Sequence, residues 1–496
     1  YPDALVPWEH PVARKTAGFK TQNPVREIPD FKNRIGNGQK CAVLWVDIFV
    51  PKSRNQAGPG HYLSKIKVFS KNNEFKHEIK LGLFVWDFEL PDKNKLAGNI
   101  FNNSLKNDDP ETELKYYQLL KQHRVTNTVF RYRPGLSIKK GKVNLDWKAY
   151  DKRLKKYLDG SAFTGKCNYN GPGYGIPIEQ LYLPFDCERA ERKAAWPILL
   201  PKNGKPSVSY ELTWIETIKK VRSHILLKLK KYKNKYTELV NYMDGLDELY
   251  TDEAYEKTLY YGKLFRKWFP ELLFRTDGGH NYDNIKKVAS VLDIWLCHTA
   301  RFELEPIKEV RKLKIRDWFY GPMIYEKDEA RFTGSGTYID IPLQIMRGMS
   351  WTAWKYDSDS WCFWEFDHNA HRAWYDPESF KDYFAKEGGI YRNCQGNGML
   401  IYRGNIMGIP VPVPSIRLKA LRSGIQEYEY LKILSAYSSK EKIDKSIVNK
   451  LVLKPMGKQS LGNINVFDMN PLNWDNMRIE IGKKIHKMRI TSLGTL

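Results

Sequence analysis

From about residue 110 the chain alternates helical stretches such as ETELKYYQLLKQH with short apolar runs such as NTVFRYR, the order that βα units require. Further units are read at KKVASVLDIWL, KIRDWFYGPMIYE and MSWTAWKYDSDSWCFWEF, each ending in aromatic or acidic residues. Repetition of this unit predicts a TIM-like (β/α) barrel, here over residues 93–440. In the segment Trp214 to Lys231, Ile218, Val221, Ile225 and Leu229 recur at helical spacing while lysines take the other positions, which reads as a solvated face.

A chain of 496 residues is too long for one ordinary core, so more than one domain is expected. Upstream of the barrel, residues 41–50 (CAVLWVDIFV), 61–70 (HYLSKIKVFS) and 80–90 (KLGLFVWDFEL) read as strands, with the turn-rich PKSRNQAGPG between the first two. Strands at this spacing with no helical segment between them predict a β-sandwich over residues 1–92. Residues 441–496 are left as a C-terminal extension. The fold class is thus α/β plus β, a sandwich followed by a barrel.

Six cysteines are widely spaced, with no C-x-x-C pair and no histidine at zinc-ligand intervals, and their pairing is left open. The first residue is Tyr1 rather than Met, which suggests an upstream secretion signal and a secreted, periplasmic or cell-surface protein. No apolar run approaches the ~20 residues of a spanning helix, so no membrane span is expected. The net charge of +24 implies a field that draws in polyanions, acidic glycans included. The lysines are scattered and accompany no nucleic-acid-binding motif, so a nucleic-acid partner is not expected. Oligomeric state is not legible.

The segment TELVNYMDGLDEL ends a strand-like run in a carboxylate cluster and leads into a helix, so the cluster stands where a barrel keeps its chemistry. Asp247 and Glu248 are the candidate catalytic pair. Glycosidic cleavage needs an acid for the leaving oxygen and a negative group for the charge growing at the anomeric carbon. Adjacent carboxylates push each other's ionisation apart, and the longer Glu248 suits the acid. Trp295, Tyr325, Trp351 and Trp364 fall near expected strand ends and are expected to line a sugar pocket, because the C–H faces of sugars pack on flat rings. Arg124 and Arg347 are expected to make polar contacts to substrate. His123 and His298 read as structural. With no G-x-S-x-G, P-loop, G-x-G-x-x-G or H-E-x-x-H pattern, no cofactor or metal is expected.

Taken together, YPDALVP (1–7), VLWVDIFVPKSRNQAGPGHY, LFVWDFELPD, QHRVTN (122–127), the YMDGLDE strand end, LDIWL (292–296), SWTAWKYDSDSWCFWEF and PSIRLKALRSGIQEYEYLKIL (414–434) make the chain resemble glycoside hydrolase family 123 and the related domain of unknown function 4091. The resemblance implies a sandwich, a barrel and retaining hydrolysis of β-linked N-acetylgalactosamine, in which the substrate's own acetamido oxygen attacks. Glu248 then matches the general acid/base, and Asp247 the residue that orients the acetamido group and stabilises the oxazolinium-like intermediate. In two respects the chain departs from the pattern. Leu249 stands where the family commonly has Pro, leaving Asp244 as a competitor, and related chains usually carry more sandwich upstream of the YPD motif, so Tyr1 is expected to begin partway through it. The alternatives are a glycosidase of other sugar specificity and a non-catalytic carbohydrate-binding protein on the same fold.

If the positive charge serves to attract a polyanionic glycan, added salt weakens retention on an acidic polysaccharide column and leaves neutral small substrates nearly untouched. Retention that ignores salt rejects that role for the charge.

Overall fold

The computed structural model describes residues 3–5, 16–17, 25–26, 45–70, 72, 74–101, 105, 108–126, 128–130, 132–188, 195–201, 205–247, 251–277, 282–298, 304–320, 337, 339, 341–368, 371–374, 396–453 and 466–493. Eight strands and eight helices alternate along it. They run β1 (Ala97–Ile100), α1 (Pro110–Gln122), β2 (Thr128–Phe130), α2 (Lys148–Leu158), β3 (Gln180–Tyr182), α3 (Val208–Lys231), β4 (Glu238–Tyr242) and α4 (Asp252–Trp268). There follow β5 (Leu273–Asp277), α5 (Tyr282–Val288), β6 (Ile294–His298), α6 (Leu304–Lys312), β7 (Arg316–Tyr320), α7 (Leu343–Tyr356), β8 (Ser360–Phe363) and α8 (Ile416–Leu434).

The strands form one parallel sheet in the order β1, β8, β7, β6, β5, β4, β3, β2, so neighbours in sequence are neighbours in space. Its two ends also meet. A parallel bridge joins Asn99 of β1 to Thr126 just before β2, and the Thr126 N–H donates to the Gly98 carbonyl at 2.9 Å. The fully buried Asn99 side chain holds this seam from within, donating to Ser360 Oγ on β8 at 3.0 Å and accepting from Thr128 Oγ1 on β2 at 3.3 Å. Gly98 permits the same seam from outside, because a Cβ there would stand 2.5 Å from the Trp361 ring.

Closure sorts side chains with period two. Phe101, Tyr182, Val240, Tyr242, Ile294, Leu296, Trp318 and Cys362 fill the barrel. Their neighbours, such as Leu181, Leu239, Phe274, Trp295, Phe319 and Trp361, belong to the larger core beneath the helices. Four of the helices start on side-chain caps: on α1 Asp109 accepts from the Glu111 and Thr112 N–H groups, and Ser207, Thr251 and Ser415 cap α3, α4 and α8 in turn. On α3, Ile218, Val221 and Ile225 are buried as the spacing predicts, while the Lys219 ammonium lies 3.7 Å from the centre of the Trp268 ring.

A two-layered sandwich is not seen among the described residues before β1. The expected second and third strands pair with each other as one antiparallel hairpin, Gly60–Phe69 with Phe75–Val85. Of residues 41–50, expected as the first strand, the described residues 45–50 lie in no strand. The only other pair described there is Thr16–Ala17 with Val25–Arg26. The first motif of the chain finds its partner elsewhere. Asp3 meets the buried Arg417 of α8 with Nε–Oδ1 2.8 Å and Nη2–Oδ2 2.6 Å, while Arg417 Nη1 donates to the Gly396 carbonyl at 2.6 Å. The YPD and PSIRLKAL segments thus make one buried ion pair. No helix among the described residues is long and apolar enough to cross a membrane.

The C-terminal helix α9 (Pro471–Leu493) packs on α8, and this layer claims two residues expected at the site. Trp351 and Arg347 both lie on α7, not at a strand end. The Trp351 indole is fully buried, donates to Glu427 Oε2 at 2.9 Å and meets Trp474 edge-on at 5.6 Å. Arg347 donates from Nε to Glu427 Oε1 at 2.9 Å and from Nη1 to Asp475 at 2.7 Å. The buried Glu427 charge needs these donors, so both residues are occupied in the outer layer. Arg347→Ala therefore lowers the unfolding free energy by about 3 kcal/mol, read from urea denaturation, without a specific change in KM for glycan. A raised KM at unchanged stability would return Arg347 to the substrate.

Candidate functional site at the C-terminal rim of the barrel

Residue Asp247 reaches the C-terminal rim through a single 3₁₀ turn, Asp244–Leu246, that follows β4 directly. Its own N–H closes the turn on the Asp244 carbonyl at 3.2 Å, and it returns to extended backbone at φ −68° and ψ 140°. The chain therefore bends over Gly245, directly after the strand. A Cβ at Gly245 would stand 2.2 Å from the Cys187 carbonyl oxygen, so glycine lets the turn rest on the loop after β3. That loop also holds the turn by a hydrogen bond, with the buried Asp186 Oδ1 accepting from the Gly245 N–H at 3.2 Å and the Cys187 N–H at 3.0 Å.

The neighbouring strand brings a second set of charges. Tyr242 of β4 is in register with Arg275 of β5, so Asp277 lies beside the first residue of the Asp247 turn. Phe274 belongs to the outer core, so Arg275 and Asp277 share the inner face. Arg275 is fully buried in the barrel. Its guanidinium centre lies 4.3 Å from the Phe101 ring centre, 4.6 Å from Tyr242 and 5.6 Å from Trp318, and Nη1 donates to the Tyr182 hydroxyl at 2.9 Å. The remaining edge of the fork grips Asp277, with Nε–Oδ1 2.9 Å and Nη2–Oδ2 2.6 Å. Stacking and a bidentate partner suit a planar cation that has lost its water.

Burial pushes the Asp277 carboxyl up to about 6, and the Asp247 and Asp244 charges push the same way against the pull of Arg275. Tyr242 is raised well above the ordinary phenol range, by burial first and then by Asp247, Asp277 and Asp244. Asp247 and Asp244 thus act on both groups and Asp277 acts on Tyr242, which puts the three aspartates in one electrostatic cluster at the rim. Such a cluster can accept hydrogen bonds from hydroxyl and amide donors, stabilise positive charge and exchange a proton near neutral pH.

Of the residues expected at the site, Asp247 and Trp364 stand at strand C-terminal ends. Trp364 follows β8 directly, is half-buried and meets His368 edge-on at 4.6 Å. Glu248 and Tyr325 lie outside the described residues. Trp295 is on β6 but faces the helices, because its neighbours Ile294 and Leu296 take the inner face. Arg124 sits in the loop entering β2, at the opposite end of the barrel, and Nη1 donates to the Pro91 carbonyl at 2.9 Å and to Asn94 at 3.1 Å. Buried His123 is structural as expected, its Nδ1 2.7 Å from the Leu119 carbonyl oxygen. Sequence reasoning missed Arg275 and Asp277. Their signal was available in LFRTD, a strand-like run carrying two opposite charges on one face.

No protein-family model matches the chain, and no curated protein matches it. Among solved structures it is similar to a family 123 glycoside hydrolase from Clostridium perfringens, studied for glycolipid glycan hydrolysis, at a TM-score of 0.52 and 12% identity over 86% of this chain and 75% of that one. Weaker likenesses are to a β-D-glucuronidase of Dictyoglomus thermophilum, with TM-score 0.33, 12% identity and coverage of 74% and 57%, and to a GH2 β-galacturonidase from Eisenbergiella tayi, with 0.31, 8%, 78% and 61%. The first of these supports a shared fold.

Because the folded-state value of Asp277 is raised, its contribution to stability is fully present below about pH 4 and is lost as pH rises through about 6. The stability advantage of the wild type over Asp277→Asn accordingly shrinks between pH 4 and 6.5, measured by urea midpoints. A gap that widens over that range contradicts the direction of the shift.

Proposed function

We propose that the chain is a glycoside hydrolase that removes β-linked N-acetylhexosamine, N-acetylgalactosamine in particular, with retention of configuration and with the substrate's acetamido group as nucleophile. The observation that supports this reading is the Asp247 turn, set on the C-terminal rim of a barrel that shares its fold with a family 123 glycoside hydrolase. In this scheme the Glu248 carboxyl protonates the glycosidic oxygen as the C1–O bond breaks, and the acetamido carbonyl oxygen bonds to C1. Asp247 accepts the acetamido N–H, which turns the carbonyl toward C1 and offsets the positive charge of the oxazolinium-like intermediate. Glu248, now ionised, takes a proton from the water that reopens the ring. No protein nucleophile is required.

Chromogenic β-glycosides with and without the 2-acetamido group test the reading directly, and hydrolysis confined to the 2-acetamido set is expected. Glu248→Gln lowers kcat on glycosides with poor leaving groups by about 10²–10⁴-fold and on activated aryl glycosides by much less. Equal losses on both remove the acid role, and equal hydrolysis of sugars lacking the acetamido group removes the substrate-assisted mechanism.

A further inference from the structure

The geometry points to Asp277, braced by Arg275, as a specificity-determining residue that accepts hydrogen bonds from ring hydroxyls of a neutral sugar held beside Asp247. This rests on the hydrolase reading and names the class of sugar that the same site takes.

The argument begins with what Arg275 leaves unused. A carboxylate offers about four acceptor positions on its two oxygens, and the bidentate fork takes one on each. Asp277 is the last residue of β5, on the inner face, and its side chain is 18% exposed where that of Arg275 is 1% exposed. The carboxylate is therefore open at the rim and sealed beneath it. Its orientation is fixed from below, since Phe101, Tyr242 and Trp318 confine the guanidinium and the Tyr182 hydroxyl takes its remaining edge. A preorganised acceptor of this kind binds a hydroxyl without first being ordered itself.

Charge selects the ligand. The groups acting on Asp277 and its partner are Asp247 and Asp244 from the β4 turn, Tyr182 from β3, and Cys362 from β8; the Tyr242 ring packs against Arg275. Arg275, the cation of this set, is already committed to Asp277. A carboxylate or sulfate on the sugar ring would meet like charges here, whereas hydroxyl and amide N–H donors would meet acceptors. Polyanion attraction, if the net charge provides it, then concerns the aglycone or the surface bearing the glycan, not the ring that is cleaved. Asp277 accepts best when ionised, so affinity should fall as pH drops through about 6.

Isothermal titration calorimetry with methyl β-N-acetylgalactosaminide, its monodeoxy analogues and the matching 6-carboxylate tests this. For the wild type, one deoxy analogue and the 6-carboxylate each bind about tenfold or more weakly than the parent, and affinity for the parent drops between pH 7 and 5. In Asp277→Asn, parent affinity falls about tenfold and the same deoxy analogue is no longer distinguished from it. An unchanged Kd and deoxy ranking in Asp277→Asn overturn the assignment. Should that variant not fold, a wild-type Kd that is constant from pH 7 to 5 overturns it equally. Sugar binding with these preferences but without hydrolysis of any glycoside removes the hydrolase reading and leaves Asp277 as the hydroxyl acceptor. Hydrolysis with KM and kcat unchanged in Asp277→Asn does the reverse.

Discussion

Closure of the parallel sheet is the constraint on which the rest of this molecule depends. An open parallel sheet leaves the hydrogen-bonding groups of its two edge strands unpaired, and here those edges are joined to each other. The join is small. It rests on the Asn99–Thr126 bridge and on one buried side chain, Asn99, that bonds to Ser360 on one side and Thr128 on the other. Once it is made, every strand has an inner and an outer face, and eight C-terminal ends converge on one rim.

Convergence gives the site its chemistry. Asp247, carried by a one-turn 3₁₀ helix after β4, and Asp277, the last residue of β5, come together because Tyr242 is in register with Arg275, two residues before Asp277 and two before the turn begins at Asp244. The barrel interior then supports a charge that a small core would exclude. Arg275 remains ionised inside because one carboxylate, one phenol and three aromatic faces replace its water. The same desolvation raises Asp277 and Tyr242, so the electrostatics of the rim follow from the packing beneath it.

The outer layer follows a different logic. Glu427 and Arg417 on α8 are both buried and charged, and each gathers distant parts of the chain: Glu427 takes Arg347 and Trp351 of α7, and Arg417 takes Asp3 and the Gly396 carbonyl. The aromatic-rich SWTAWKYDSDSWCFWEF run illustrates why this was hard to read in advance. It contains the end of α7, a turn and all of β8, and three of its four tryptophans serve three different surroundings. Trp351 joins Glu427, Trp361 covers the Gly98 seam, and Trp364 stands at the rim.

By itself the sequence determined the alternation of helix and strand, the position of the acidic turn after β4 and the apolar face of α3, because each of these depends on neighbours a few residues apart. The tertiary structure alone decided which face of a strand is the inside, hence that Trp318 fills the barrel while Trp295 lies beneath the helices. Only register could place Asp277 beside the Asp247 turn, and only the fold could give Arg347 and Arg124 to structural partners. The pairing of the second and third expected strands as one hairpin has the same origin. Strand propensity is local, whereas the choice of which strands pair is made by contacts between residues far apart in the chain.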